Sequence, residues 1–293
     1  MKDDILFMID IDLKEIAVEI RAIIKNRQEE LGLVFDEENH IYTMLDNNGN
    51  LRSDWVSVSK LIHNFYDEFP TQEASLKKAK GDVVLQQELL KQWEAEGTYS
   101  TNLGSRVHYI LETELLKKFN SNKSVRIPIF ECDDEQIIKS DKMISNGVKV
   151  LDDYINRGLV LLDTEIVLGD PDLKYVGQPD KVWLVKDNKT GRFGIVITDW
   201  KSNKTKNFET TRWTKPMYPP FDSLPNIALG HYNIQLPFYA RLLKKMLQGT
   251  KYENIIIASC FIIHLKEDSY NTYKISRDII NKVFDLDLSN YVK

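Results

Sequence analysis

Apolar residues recur every three or four positions in several stretches of the chain, the spacing that gives an amphipathic helix one buried face. Gly32 directly follows the first of these stretches and Gly97 is the last residue of another, and each is expected to end its helix. Ser105 stands near the start of the next stretch as a candidate N-cap. The pattern predicts helices over residues 1–31, 60–97, 103–119, 134–157, 232–249 and 276–286.

Strand patterns lie between these helices. Residues 33–62 alternate around the turn sequence DNNGN, which is a hairpin signal. Helices come first in the chain, a β-meander follows, and a helix and a strand come after the meander. This order predicts an α+β or mixed α/β fold. A helical and hairpin region, residues 1–97, is expected to pack on a core of residues 98–293 as one compact unit. Apolar runs predict further strands over 159–169, 175–187, 192–201 and 254–265.

The composition narrows the class of protein. The 293 residues have a formal net charge of -5, so any surface for nucleic acid must be a local basic patch. Only Cys132 and Cys260 are present, which excludes a four-thiolate zinc or iron–sulfur site and favours a reducing cytoplasm. No stretch has the length of a membrane span and the acidic N-terminus is unlike a signal peptide, so we expect no membrane partner.

Asp199 and Lys201 end the apolar run IVITDWK and point to one face, because side chains two apart on a strand do so. The strand before them is reached through the polar turn DNKTGR. A turn centred on Lys189 and Thr190 places Asp180 opposite Asp199, with Cβ atoms about 5 Å apart. Such carboxylates repel unless a cation intervenes, either Lys201 or a divalent ion such as Mg²⁺ or Mn²⁺. A turn displaced by one residue would reverse the face.

These residues resemble the core of the PD-(D/E)xK nuclease superfamily. GQPD at 177–180 gives G-x-x-D, the hairpin follows, and DWK at 199–201 gives D-x-K. LGSRVHYILE resembles the G-x-x-x-H element of RecB-type nucleases, and YNIQLPFYARLL resembles their Q-x-x-x-Y helix. HIYT, WVSVSKLI and KPMYPPFDSLPN resemble viral and mitochondrial exonucleases of this branch, so the resemblance covers about residues 35–250. It implies a restriction-endonuclease-like core, in which helices flank a central mixed sheet with an antiparallel catalytic hairpin.

The resemblance also implies a metal site for one or two Mg²⁺ or Mn²⁺ ions. Asp180, Asp199 and the backbone carbonyl of Trp200 would bind the metal, and a structural ion cluster is the alternative. His108 would add a nitrogen ligand, unless it is an ordinary helical histidine. Glu112 lies one helical turn after His108 and could accept the other ring N–H of that histidine.

Further roles follow from the same resemblance. Glu165 stands on the strand before the hairpin, where the family often carries another metal ligand; a solvent-facing glutamate is the alternative. Lys201 would position the attacking water or neutralise charge on the phosphate. Gln235 and Tyr239 would orient the lysine or a phosphate, unless Tyr239 is only a core residue. Pro237 lies between them, so this helix is expected to begin near it, with Gln235 in the first turn.

The segment KSNKTKNFETTRWTKPMY carries five cations against one acid, Glu209. Basic residues with interleaved aromatic rings suit a single nucleic-acid strand, through phosphate contacts and base stacking, and a solvated run of charge is the alternative. If this segment does not bind DNA, we expect DNA to bind the face of the next helix that carries Arg241 and Lys245. We predict DNA contacts from Lys204, Lys206, Arg212, Trp213 and Lys215.

The implied activity is that of a Mg²⁺- or Mn²⁺-dependent deoxyribonuclease. A stand-alone, phage-type exonuclease is expected, which acts on linear or single-stranded DNA ends in replication, recombination or processing. The chain carries no helicase motif and no cysteine cluster for an iron–sulfur cluster. The alternatives are a structure-specific endonuclease of the same fold and a catalytically inactive DNA-binding or scaffold protein. DNA is the expected partner, and the expected location is the cytoplasm, that of the host if the protein is viral.

Overall fold

The computed structural model of the protein describes residues 2–36, 38–125, 127–128, 130–187 and 189–292, with side chains from Leu13 onward. The part before residue 120 is mainly helical, and short strands separate its first two helices. In chain order it contains α1 (Lys2–Glu30), β1 (Val34–Asp36), β2 (Ile41–Leu45), β3 (Leu51–Arg52), β4 (Val56–Ser57), α2 (Val58–Ile62), a 3₁₀ turn (His63–Phe65), α3 (Thr71–Lys78) and α4 (Val83–Lys118).

The later part of the chain mixes strands and helices around one large sheet. In chain order it contains α5 (Asp134–Asn156), β5 (Val160–Thr164), β6 (Leu168–Asp170), β7 (Tyr175–Gly177), β8 (Lys181–Lys186), β9 (Phe193–Lys201), a 3₁₀ turn (Thr205–Phe208), α6 (Ala228–Met246), β10 (Ile256–Leu265), β11 (Tyr270–Lys274) and α7 (Arg277–Asp285).

A five-stranded sheet forms the centre of the molecule, in the order β11, β10, β9, β8, β5. β9 and β10 run parallel, whereas the other neighbours, including the β8–β9 hairpin, are antiparallel. Side chains on one face, such as Ile197, pack with α1, α6 and α7. Those on the other face, such as Trp183, pack with α4 and α5. The predicted α+β class, with a central mixed sheet and an antiparallel hairpin flanked by helices, is confirmed.

Two small sheets include strands of the N-terminal region. β2 and β3 form the predicted hairpin around DNNGN, and β1 pairs with β2. In the turn, Asp46 Oδ1 accepts hydrogen bonds from the backbone N–H groups of Asn48 and Asn50. β4 pairs in parallel with β7, which in turn pairs with β6. The N-terminal region therefore contributes a strand beside the central sheet. The division at residue 97 falls inside α4.

The predicted ends of several helices are confirmed, and side chains explain them. α1 is followed by Gly32, whose φ of +55° lies in the left-handed region that glycine adopts without strain. Asp133 and Gln136 form a capping box at the start of α5. Ser276 Oγ accepts a hydrogen bond from the backbone N–H of Ile279 at the start of α7. Among the described residues, no helix is both long and apolar enough to cross a membrane.

α4 differs from the two helices predicted for this stretch. It runs unbroken through Gly97 and Ser105, so the predicted helix end and N-cap are wrong. Its N-cap is Asp82, and Gly81, at φ +85°, makes the turn before it. One glycine costs a helix about 1 kcal/mol, which burial of the second half of α4 against α5 and the sheet outweighs. The region from residue 60 to this turn is α2, a 3₁₀ turn and α3 instead of one helix.

Other predicted elements are wrong in detail. α6 begins at Ala228, so Pro237 lies inside the helix and Gln235 lies beyond its first turn. A proline removes one intrahelical hydrogen bond, a cost of about 3 kcal/mol that the extensive burial of α6 outweighs. The stretch 159–169 is two strands, because the chain bends at Glu165, where φ is +43°. The stretch 175–187 is also two strands, and β11 was not predicted because most of its residues are exposed.

Candidate metal centre

The β8–β9 hairpin has the register predicted from its turn. Lys181 pairs with Thr198 in the antiparallel ladder, so Asp180, directly before β8, stands opposite Asp199. Asn188 of the predicted turn lies outside the described residues. The observed pairing excludes the alternative of a turn displaced by one residue. The two carboxylates therefore come together at the edge of the sheet where β8 begins and β9 ends.

Two glycines of the sequence motifs let helices approach this edge. A Cβ atom at Gly104 of α4 would lie 3.1 Å from Ser202 Oγ, directly after β9. A Cβ atom at Gly177 would lie 2.7 Å from Tyr239 Cε1 of α6 and 2.8 Å from Val58 Cγ2. Both positions exclude larger side chains unless the neighbours move. The glycines thus allow α4 and α6 to bring His108 and Tyr239 toward the carboxylates.

His108, Asp180 and Asp199 form a group whose potential ligand atoms all lie within 4.8 Å of one another. A carbonyl can only accept, so His108 Nε2 donates its proton to the Trp200 carbonyl oxygen, 2.9 Å away. In the neutral ring Nδ1 then carries a lone pair, which lies 3.3 Å from Asp180 Oδ2. The Trp200 carbonyl keeps a second lone pair, so it remains available as the fourth predicted ligand.

The charges of this group favour a bound cation. Burial lowers the pKa of His108 to about 4, so the ring is neutral at neutral pH. Burial, followed by the neighbouring Asp180 carboxylate, raises the pKa of Asp199 well above its ordinary value. Burial also opposes ionisation of Asp180, but Lys181, His108, Lys201 and a hydrogen bond from Asp199 together outweigh it, so the pKa of Asp180 falls below its ordinary value. Asp199 Oδ1 is buried without a hydrogen-bond partner among the described residues, which leaves it free to bind a metal ion.

Lys201 supplies a positive charge beside the group. Its Nζ lies 2.7 Å from Asp199 Oδ2 and 4.3 Å from the centroid of the Tyr232 ring. Burial alone would favour the neutral amine, but the Asp199 and Asp180 carboxylates prevail and raise the pKa of Lys201 above its ordinary value. The side chain is therefore an ammonium ion in this arrangement. It can stabilise an anion at the site, and it does not act as a base while both carboxylates remain its neighbours.

Two predicted glutamates are placed differently from the expectation. Glu165 lies in the bend after β5 instead of on a strand, and its backbone N–H donates to the Asp180 carbonyl oxygen at 3.0 Å. Its carboxylate is outside the three-residue group, and burial raises its pKa well above the ordinary value. Glu112 does not accept from the His108 ring, because both ring nitrogens face other atoms. Glu112 Oε1 instead accepts from Thr164 Oγ1 at 2.7 Å.

Gln235 and Tyr239 share one face of α6, as their spacing predicts. Gln235 Nε2 donates to the Tyr239 hydroxyl at 3.1 Å, while Gln235 Oε1 is buried without a partner among the described residues. Burial and the Asp199 carboxylate raise the pKa of the Tyr239 hydroxyl, which therefore stays protonated. The pair presents a free carbonyl acceptor near the carboxylates, and Tyr239 is also a core residue.

His108 of this group lines a cleft of about 810 Å³. α4 forms one wall through Ser105, His108 and Glu112. The hairpin of β1 and β2 contributes Phe35, and the segment between α4 and α5 contributes further residues. The cleft is open to solvent at the side chain of His108, which is 32% exposed. A ligand could thus reach the group from this side.

No protein-family model matches the chain, and no curated protein is significantly similar to it. The geometry of the site is therefore the principal guide to its chemistry.

The basic segment is more strongly paired than its sequence indicates. Lys204 Nζ lies 2.8 Å from Glu96 Oε2 of α4, and Lys215 Nζ lies 3.3 Å from Asp67 Oδ2. Glu209 is thus not the only acid that faces these cations. Arg212 stacks on Trp213 at 4.7 Å, and Trp213 is 77% exposed, as a base-stacking residue would be.

The alternative DNA surface on α6 is occupied by contacts within the protein. Arg241 donates to the backbone carbonyl oxygens of Val283 and Leu286, which holds the end of α7. Lys245 pairs with Asp172 at 2.7 Å. These two cations therefore support the fold, and the segment after β9 is the better candidate for DNA contacts.

Two residues near the carboxylates were not found from the sequence. Lys181 is 1% exposed, with its Nζ 3.7 Å from Asp180 Oδ2 and 5.0 Å from the Trp200 ring centroid. Nothing in the alternation of β8 marks a lysine as buried. Tyr232 lies against Lys201, and its position three residues before Gln235, on the same helical face, was a usable signal.

Proposed function

We propose that the protein is a metal-dependent DNA nuclease that hydrolyses phosphodiester bonds. The observation that carries the proposal is the convergence of His108, Asp180 and Asp199 within 4.8 Å, beside the Lys201 ammonium. The resemblance to PD-(D/E)xK nucleases of the RecB branch supports the same reading. An ordinary ion cluster would pair its charges, whereas here Asp199 Oδ1 is buried without a hydrogen-bond partner among the described residues.

The donor atoms fit a hard divalent cation. Two carboxylates, one imidazole nitrogen and the Trp200 carbonyl make an oxygen-rich set, which suits Mg²⁺ or Mn²⁺. Such an ion would lower the pKa of a bound water and polarise the scissile phosphate. Glu165 would serve as an additional carboxylate near the site. Cys132 and Cys260 are both free thiols, which fits a protein of the reducing cytoplasm.

Lys201 and Gln235 would have separate roles in the reaction. Lys201 would stabilise the negative charge that develops on the phosphate, because its ammonium group is held at the carboxylates before the substrate arrives. Gln235 Oε1 would accept a hydrogen bond from a water molecule or from Lys201, since its own amide group already donates to Tyr239. The buried Tyr239 would hold Gln235 in place.

The cleft supports action at a strand end. Walls from α4 and from the β1–β2 hairpin enclose it on two sides, so a single strand or a frayed end enters more easily than continuous duplex. We propose an exonuclease on this ground. A structure-specific endonuclease is the alternative that the same centre allows.

The test combines metal binding with cleavage. Calorimetric titration of Mn²⁺ is expected to show binding to the wild type and none to Asp199→Asn. Linear DNA is expected to be degraded with Mg²⁺ or Mn²⁺, while covalently closed circles persist. Cutting of the circles would indicate the endonuclease. DNA binding without cleavage would indicate a scaffold, and absence of both metal binding and cleavage would refute the proposal.

A further inference from the structure

Tyr232 makes a contact with Lys201 that none of the sequence motifs accounts for. The Lys201 ammonium lies 4.3 Å from the centroid of the Tyr232 ring, within the range of a cation–π interaction. This ammonium also lies 2.7 Å from Asp199 Oδ2. The lysine head group is therefore held between a carboxylate and an aromatic face.

The Tyr232 ring is itself held in place by the segment after β9. The Tyr232 hydroxyl donates to Asn203 Oδ1 at 3.2 Å. The Asn203 carbonyl accepts from His264 Nε2 at 2.7 Å, and the His264 ring stacks on Phe208 at 4.0 Å with an interplanar angle of 2°. His264 and Phe208 are buried. His264 is also the β10 partner of Lys201 in the parallel ladder, so the whole chain of contacts is anchored to the strand that carries the lysine.

This arrangement has a consequence when Asp199 binds a metal ion. A carboxylate that turns toward a cation weakens its hold on a neighbouring ammonium group. Lysine has a long flexible stem, so its head group would then take many positions. The Tyr232 face does not take part in metal binding and would keep its contact. We infer that Tyr232 is a positioning residue that keeps the Lys201 ammonium at the reacting phosphate, an inference that rests on the proposed nuclease function.

The kinetic test compares two substitutions of the ring. Tyr232→Leu removes the aromatic face and is expected to lower kcat about tenfold or more, with little change in KM, because the lysine is misplaced only for the chemical step. Tyr232→Phe keeps the ring and is expected to restore most of the lost rate. Tyr154→Leu is the matched control, since Tyr154 packs edge-on against Trp183 on the other face of the sheet, with ring centroids 5.6 Å apart. It is expected to keep kcat.

A second measurement does not depend on activity. Lysine labelled with ¹³C at Cε gives one NMR signal per side chain, and the Lys201 signal is identified by its loss in Lys201→Arg. The ring current of Tyr232 should move this signal upfield in the wild type. We expect the upfield position to survive in Tyr232→Phe and to disappear in Tyr232→Leu, with and without a divalent ion.

The outcomes separate the inference from the function on which it rests. If the wild type cuts DNA but Tyr232→Leu loses no more activity than Tyr154→Leu, or Tyr232→Phe restores nothing, the inference is overturned and the nuclease stands. If Tyr232→Leu does not fold, a wild-type Lys201 signal without an upfield shift overturns it. If the wild type cuts no DNA although the shift is present, the proposed function is overturned, and the positioning role falls with it.

Discussion

Asp199 shows at the scale of one residue why we propose a cation at the site. Its carboxylate is 4% exposed, stands next to Asp180, and receives one ion pair, from Lys201 to Oδ2. Oδ1 has no hydrogen-bond partner among the described residues. Leaving a buried carboxyl oxygen without a hydrogen-bond partner is costly, because its hydration is lost and nothing replaces it. Binding of the proposed metal ion would remove this cost, and the free energy gained should appear as added stability.

The first prediction concerns metal-dependent stability. Saturating Mn²⁺, at about 100 times its Kd, should stabilise the wild type by about 2.7 kcal/mol, a rise of several degrees in Tm. Asp199→Asn should lose this rise. Without metal it should melt at or above the wild type, because relief of the repulsion with Asp180 offsets the lost ion pair with Lys201.

The control for this prediction is Asp187→Asn, the same chemical change at the turn end of the hairpin. Asp187 is exposed and binds backbone N–H groups of its own turn, so this variant should keep the full response to Mn²⁺. Differential scanning calorimetry with and without Mn²⁺ measures both. A metal-induced rise in Asp199→Asn equal to that of the wild type would contradict the site.

His231 provides a second prediction, away from the metal-binding group. Its ring stacks on Tyr66 with centroids 3.6 Å apart, and burial lowers its pKa from 6.5 to about 4. At pH values between about 4 and 6.5, His231 is protonated in the unfolded chain but neutral in the folded chain. The free energy of unfolding therefore decreases as pH falls through this window. Above the unfolded pKa both states are neutral, and this contribution to stability is fully present.

His231→Phe keeps a ring against Tyr66 and removes the titration. Its free energy of unfolding should therefore decrease less than that of the wild type between about pH 7 and about pH 5. His108 titrates with the same sign in both proteins, so the difference isolates His231. Urea unfolding in metal-free buffer measures the effect. Equal pH dependence in both proteins would show that the folded and unfolded states protonate His231 alike.

At the scale of elements, α4 connects two parts of the molecule. Its first half is largely exposed and packs with α3, whereas its second half is buried against α5 and carries His108. Gly147 of α5 lies at this contact, where a Cβ atom would be 2.5 Å from Leu111 Cδ1 of α4. The close approach of the two helices depends on the missing side chain. Gly97, in the exposed half, has nothing within 4 Å of such a Cβ atom.

These two glycines give opposite predictions for the same substitution. Gly97→Ala should stabilise the protein by about 0.5–1 kcal/mol, because alanine loses less entropy in a helix and meets no neighbour. Gly147→Ala should destabilise it by about 1–3 kcal/mol through overpacking. Urea denaturation compares them directly. A destabilising Gly97→Ala would contradict the continuous helix. It would indicate instead that α4 ends at Gly97 with a left-handed backbone, as the sequence predicted.

At the scale of the whole molecule, the net charge of -5 would have to coexist with the polyanionic substrate that we propose. The basic segment after β9 is joined to α4 through Lys204 and Glu96, and to the segment after α2 through Lys215 and Asp67. DNA would compete with these acids for the lysines. The electrostatic gain from the segment is therefore smaller than five cations would provide in isolation.

The fourth prediction tests this surface. Alanine at Lys204, Lys206, Arg212 and Lys215 should flatten the salt dependence of DNA affinity by up to about one unit of slope per lost phosphate contact. KM should rise while kcat at saturating DNA and low salt persists, because only uniform binding is removed. Fluorescence anisotropy of a labelled oligonucleotide over a salt series gives the slope.

A control with the same change in net charge uses four lysines in ion pairs outside the segment. Alanine at these positions should leave the slope near that of the wild type. If both quadruple variants behave alike, overall charge and not the segment governs binding. The control lysines are Lys25, Lys117, Lys251 and Lys282.

Local pattern was enough to determine the elements whose signals are local. The register that sets Asp180 opposite Asp199 was predicted from a turn centred on Lys189 and Thr190, and the ladder confirms it over a turn displaced by one residue. The capping box of Asp133 and Gln136 and the cap at Ser276 likewise mark α5 and α7 in the sequence. The α+β class follows from the order of such elements.

Tertiary packing decided what depends on distant partners. α4 continues through Gly97 because burial of its later residues outweighs a local breaker, and α6 accommodates Pro237 for the same reason. Glu112 accepts from Thr164, His108 donates to the Trp200 carbonyl, and Lys204 pairs with Glu96, more than a hundred positions away. Periodicity reports which face of an element is buried. It carries no information on which side chain of another element meets that face, so the partners of His108, Lys201 and Lys204 exist only in the folded chain.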